Sequence, residues 1–402
     1  MKIKLRRVKR TSVNIEDILF AMIVMLIFAS ACFDVIYQRA PAISIEYNRL
    51  FRNSIYGLVV ICILKLLIDV AKTRKLNHIT VLMLLMFLYG AFVTWIQGLF
   101  SLRALVVDNL AWILVFCVSY CYANRREINQ IVLNPIFIIG TMVYCMLMMI
   151  NINMHIMGFD PRGGTVSSLY YCFGIIGLVL LCLPKSWKRI FSIVMGLMVL
   201  FSTKRTGVFV ILIGFFFYFV GQASIEGRLV ERVKKYVRII FIIIAACLVA
   251  LWFIEKYDIR ILDRLATITT DGGSGRDEIW KSVLFNYKRS DVLHKIFGYG
   301  FHAVPELLRP FNRYLFAHNG FLEVLFDFGI LGLIAMVSGI VWLGINTMKM
   351  QKEKHLAGPV MLYSMIVIIL LSLFSYLFEE SRFVMPVALV CGLCMGRYKK
   401  KR

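Results

Sequence analysis

Apolar residues fill this chain in long runs, and polar residues come as short interruptions. The runs at 18–37, 55–71, 79–99, 131–151, 166–183, 239–255, 319–346 and 357–377 can each cross a ~30 Å hydrocarbon core as a helix. Another run ends near 123, and a last one precedes the terminal RYKKKR. A β-barrel would show short alternating segments instead. The pattern predicts an all-α, polytopic helical membrane protein of about 12 transmembrane helices. It reads as a single integral membrane domain over 1–402, with one large outer loop, 257–317, inserted before the tenth span.

Two places depart from the simple pattern. The run Ile190–Phe201 is short for a straight crossing, Ser202-Thr203-Lys204-Arg205-Thr206-Gly207 interrupts it, and Val208–Val220 resumes. A broken hairpin with a polar tip lining a cavity fits these residues, and so does an ordinary short outer loop. In the second span, Lys65 and Asp69 lie four apart on one face; the expectation is a snorkelling salt pair near the cytoplasmic end.

The loop 257–317 is polar enough to leave the membrane, yet it carries helical signals. SGRDEIWKSVLFNY predicts an amphipathic helix, with Ser274 and Asp277 at capping-box spacing. Ile279, Trp280, Val283, Leu284 and Tyr287 fall on its apolar face. Gly298-Tyr299-Gly300 predicts a turn, and Pro305 and Pro310 bracket a second short helical piece. The loop is expected to fold over the outer mouth of the bundle.

Composition sharpens this picture. The chain has 402 residues and is 60% hydrophobic; its mean hydropathy is +0.78. The net charge of +23 is spread between the spans, as the positive-inside rule expects, so no nucleic-acid partner is inferred. The basic cluster from Lys2 to Arg10 and the RYKKKR tail place both termini in the cytoplasm of a multi-pass cell (inner/plasma) membrane protein. PKSWKR reads as an inner loop, and the first apolar run as a retained span rather than a signal peptide. All ten Cys residues sit in apolar runs, as small core residues do. There is no HExxH, no Cys/His cluster and no Walker motif, so neither a metal site, a cofactor nor an ATP-driven pump is expected.

Candidate chemistry gathers where the loop meets the tenth span. Asn319 is placed to cap that helix, directing the positive end of its dipole outward beside His318. An anion such as a pyrophosphate would be stabilised there, with help from Arg205 and Arg276. A neutral His318 would accept a proton from an attacking hydroxyl. The plain alternative is that His318 marks the membrane interface. Glu323 and Asp327, one turn apart, face the bundle interior, there to orient a cation or to pair with Lys65 or an outer Arg.

Three islands in this order resemble the O-antigen ligase / polysaccharide polymerase superfamily of the Wzy and WaaL type. They are Ser202–Gly207, then Ser274-Gly275-Arg276 with Trp280, then Gly298-Tyr299-Gly300 followed by His318-Asn319 with Leu322, Gly329 and Gly332. The resemblance covers roughly 190–346. It implies an undecaprenyl-diphosphate-linked oligosaccharide as donor, used at the outer face without nucleotide sugar, metal or cofactor. It implies that Arg205 and Arg276 hold the diphosphate and that His318 activates the acceptor hydroxyl or helps the leaving group. Lys204 beside Arg205 departs from the family pattern, so it too is a candidate for the diphosphate. Asn319 and Glu323 would support the site. The expected function is polymerisation of repeat units for a capsule, exopolysaccharide or O-antigen, with a flippase and a chain-length regulator as partners. Transfer to a lipid or protein acceptor by a ligase is the alternative. A lipid-linked oligosaccharide flippase is the alternative of another class.

Overall fold

The computed structural model describes residues 14–39, 44–74, 77–99, 101–156, 167–202, 204–225, 234, 276–309, 315–375, 377–379 and 381–400. Among them it is all helix, without a strand. The bundle opens with α1 (Ile15–Arg39), α2 (Ser44–Thr73), α3 (His78–Ile96), α4 (Ala111–Arg125) and α5 (Gln130–Ile156). It continues with α6 (Tyr170–Cys182), α7 (Lys185–Phe201) and α8 (Arg205–Ile225). Three short helices follow: α9 (Arg276–Arg289), α10 (Val292–Phe297) and α11 (Ala303–Leu308). The chain closes with α12 (Gly320–Lys352), α13 (Gly358–Phe374) and α14 (Ser381–Lys400).

Seven described helices are long and apolar enough to cross a membrane, and α6 and α13 are shorter apolar helices. The predicted span at 239–255 and Ser274 lie outside the described residues, as does the side chain of Arg205. The bundle core is built on small-residue contacts. Gly392 and Gly396 of α14 lie against the carbonyls of Phe116 and Tyr120 on α4, where no Cβ would fit. That is the close backbone approach that membrane helices use when packing alone must hold them. Phe20 of α1 stacks on Tyr122 of α4 at 4.1 Å between centroids.

The structure corrects several expectations. PKSWKR is not a loop: α7 starts at Lys185 with Pro184 as its N-cap, because a fixed proline φ suits a helix start. Trp187 then stacks on Phe191 and carries the helix in from the polar turn. Between the third apolar run and the one that ends near 123, the chain forms a π-helical entry, Arg103–Leu110, to α4. Lys65 does not snorkel. It is fully buried, bonded to Asp69 at 2.6 Å and within 3.7 Å of Glu16 from α1. Leu284 faces outward, while Ile279 and Val283 are buried as expected. Pro305 lies inside α11 rather than before it, in the first turn, where its missing N–H costs nothing.

α12 is two rods, not one. Gly329 has φ +63° in its interior and breaks the helical path. The break is locked by Gly298, at φ +81°. A Cβ on Gly298 would strike the Asp327 carbonyl, and one on Gly329 would strike the Ile296 carbonyl, so each glycine makes room for the other's backbone. Carbonyls freed by the break find donors: Tyr299 N–H binds Phe326 O at 3.1 Å and Gly300 N–H binds Asp327 O at 2.7 Å. Tyr89 of α3 donates its hydroxyl to Phe328 O at 2.9 Å.

Candidate site at the start of the broken helix

Successive crossing helices alternate in direction, so the ends of α3, α7 and α13 and the starts of α6, α8 and α12 gather at one end of the bundle. The contacts agree. Lys204, in the turn between α7 and α8, holds its Nζ over the Tyr170 ring of α6, 4.6 Å from the centroid. Arg276 at the start of α9 donates to Phe374 O at the end of α13, at 3.1 Å. Gly320 at the start of α12 sits against the Ser372 backbone of α13.

His318 is mounted on this meeting point by its neighbours. Its backbone is left-handed, φ +53°, which costs a non-glycine residue roughly 1 kcal/mol or more. The flanking Ala317 peptide is gripped on both sides. Trp280 of α9 donates its indole N–H to Ala317 O at 2.7 Å. Ala317 N–H donates to the fully buried Glu323 carboxylate. Asn319 caps α12, its side-chain oxygen accepting from Phe321 N at 3.0 Å and Leu322 N at 3.2 Å. These bonds offset the strain and hold the backbone on either side of His318.

Electrostatics then set its protonation. Burial, joined by the positive charges of Arg276 and Lys204, pushes the His318 pKa down to about 4. The imidazole is therefore neutral at pH 7, with one nitrogen able to accept a proton. Of the predicted site residues, the structure brings together His318, Asn319, Glu323, Lys204 and Arg276. Arg205 begins α8 in the same turn as Lys204.

Glu323 does not pair with Lys65, whose charge is taken up by Asp69 and Glu16. Its contact is with the turn that carries His318. Asp327 likewise turns to backbone, accepting from His302 N at 2.8 Å and Val304 N at 3.3 Å, and so caps α11 from across the interface. Sequence reasoning missed Tyr170 beneath Lys204 and Trp280 as the clamp on Ala317. Trp280 carried one available signal: an indole N–H on the inner face of an amphipathic helix needs an acceptor.

Residues 190–337 match the family model described as O-antigen ligase. The match runs from α7 through the first half of α12, so it contains Lys204, Arg276, His318, Asn319 and Glu323. No curated protein matches the chain. The chain is an all-α, polytopic helical membrane protein, and its segment 190–337 is similar to the O-antigen ligase family.

Proposed function

We propose that this protein is a polymerase of oligosaccharide repeat units carried on undecaprenyl diphosphate, working at the outer face of the membrane in capsule, exopolysaccharide or O-antigen synthesis. One observation supports the reading above the others: a neutral, half-buried imidazole, His318, mounted on a strained turn within electrostatic reach of Arg276 and Lys204. Glycosyl transfer from a lipid diphosphate needs both halves of that arrangement.

In the proposed step, the acceptor hydroxyl oxygen attacks the anomeric carbon of the donor glycan. A new carbon–oxygen bond forms as the bond to the diphosphate breaks, and the lipid diphosphate leaves with the electron pair. Arg276 and Lys204, with Arg205 from the same turn, meet the negative charge that grows on the leaving oxygen. His318 takes the hydroxyl proton and returns it to solvent. The bound anion offsets the two cations that press on His318, so the imidazole becomes a stronger base when the donor is in place. Asn319 and Glu323 act through His318 by holding its turn.

The test is glycan chain length in a deletion strain complemented with wild type or His318→Ala. The reading expects single repeat units in the deletion strain and with His318→Ala, and a full ladder with wild type. Long chains accumulating on the lipid carrier would make the protein a ligase. Single units confined to the cytoplasmic leaflet would make it a flippase and overturn the site assignment.

A further inference from the structure

The short helix α10 is bonded along the flank of α3, not above its end. His294 in α10 lies 3.3 Å from the side-chain oxygen of Gln97, just past the end of α3. Three residues on, Phe297 O accepts from the hydroxyl of Tyr89 at 3.1 Å. From Gln97 back to Tyr89 an α-helix descends about 12 Å. Phe301 N then meets Thr94 Oγ1 at 2.9 Å, on the way back up. The segment from His294 to Phe301 thus goes down beside α3 and returns.

α3 is one of the helices long and apolar enough to cross a membrane, and Leu88, Phe92, Trp95 and Ile96 stand exposed on it. α10 continues that apolar surface. Val292 is 69% and Leu293 67% exposed, and Phe297 is exposed as well. A helix facing water would carry polar residues there. Polar groups stand instead at its head: Lys288 and Arg289 are exposed, and the Arg289 guanidinium rests over the Phe285 ring at 4.1 Å. That is how cations sit at a headgroup level while apolar neighbours lie below. The irregular backbone that follows is buried at Gly298 and Gly300, and its N–H groups are bonded to His294 O and Asp327 O. Non-helical backbone is tolerated at membrane depth only when protein covers it in this way.

We propose that α10 is a re-entrant segment whose face of Val292, Leu293 and Phe297 is covered by the acyl chains of the lipid leaflet at the His318 end of the bundle. The loop carrying Arg276 and His318 is then anchored in lipid rather than laid over it. This inference stands on the membrane-spanning character of α3 and does not rest on the transferase reading.

The experiment places the photo-crosslinker p-benzoylphenylalanine at Leu293 in the full chain, in nanodiscs of dioleoylphosphatidylglycerol. Leu88, exposed on α3, is the lipid-facing reference, and Glu278, exposed on α9, is the water-facing one. After illumination, intact-protein mass reads the gain of one lipid. The proposal expects an adduct yield at Leu293 close to that at Leu88 and well above that at Glu278. A yield at Leu293 matching Glu278, or a crosslink to a second chain in place of lipid, overturns it. Val292 replaced in the same way gives the same reading if the Leu293 variant fails to accumulate.

Discussion

Charged residues cluster at both ends of this bundle, and they are held in different ways. At the end opposite His318, Glu16, Lys65, Asp69, Lys72, Arg125 and Arg126 form a network in which carboxylates are shared between cations. Asp69 meets Lys65 at 2.6 Å and Arg125 at 2.8 Å. Glu16 meets Arg126 at 3.1 Å and is also paired with Lys72. Asp17 alongside accepts from Tyr122 at 2.9 Å and Asn129 at 3.2 Å. At the His318 end, Arg276 is bonded to a backbone carbonyl, Lys204 lies over a tyrosine ring, and both act on a neutral imidazole. Burial of charge alone does not mark a reaction site. A buried cation answered by carboxylates ties helices together, whereas at the His318 end two cations bear on an uncharged base.

The sharpest way to break this contrast is to remove a cation from the end opposite His318. Lys65→Met leaves two buried carboxylates short of a partner. It is expected to cost about 3–5 kcal/mol of stability, read as a large drop in the thermal midpoint of the purified protein. Transfer per folded molecule should persist. If Lys65→Met leaves the midpoint unchanged, the network is not what joins α1, α2 and α4.

Glu323→Gln sharpens the comparison from the other end. It keeps the shape but weakens the acceptor for Ala317 N–H, at a cost of about 1–3 kcal/mol. Here the predicted signature is loss of glycan transfer beyond the loss of stability, because the turn bearing His318 relaxes. A variant with normal transfer and a lowered midpoint would make Glu323 purely structural.

The smallest effect concerns pH. His318 is depressed by burial and by its two cationic neighbours, so in the free enzyme it stays neutral down to about pH 4. Activity that needs the neutral form should hold as pH falls to 5.5. In Arg276→Gln one positive neighbour is gone, the imidazolium is less disfavoured, and the pKa moves up toward 6.5. The acid limb of kcat/KM should therefore move to higher pH, so the variant loses more between pH 7.5 and 5.5 than wild type does. An unchanged limb would detach Arg276 from His318.

The bundle was legible because spans need only length and apolarity, and those are local properties. Helix α9 was legible for the same reason, through Ile279 and Val283 at helical spacing. The helix start at Asn319 was legible as well, since a cap residue at the head of an apolar run is also a local signal. What holds the site is not local. Trp280 reaches Ala317 across 37 positions, and Tyr170 reaches Lys204 from another helix. Lys65 misled in the same manner: its neighbour Asp69 suggests a snorkelling pair, but the pair is buried and Glu16 of α1 joins it. Nor does any periodicity announce that Gly298 and Gly329 will interlock, because each glycine alone reads as a turn or a tolerated gap.

The left-handed backbone at His318 carries a last consequence, for anyone choosing a control protein. Glycine and asparagine adopt that conformation most easily, whereas a β-branched residue resists it. Conformation and chemistry therefore ask for different amino acids at one position. Asparagine at 318 would suit the peptide while withholding the proton acceptor, whereas valine would disturb both at once. An inactive His318→Asn protein with an undisturbed fold would thus isolate the imidazole's contribution from the cost of its mounting.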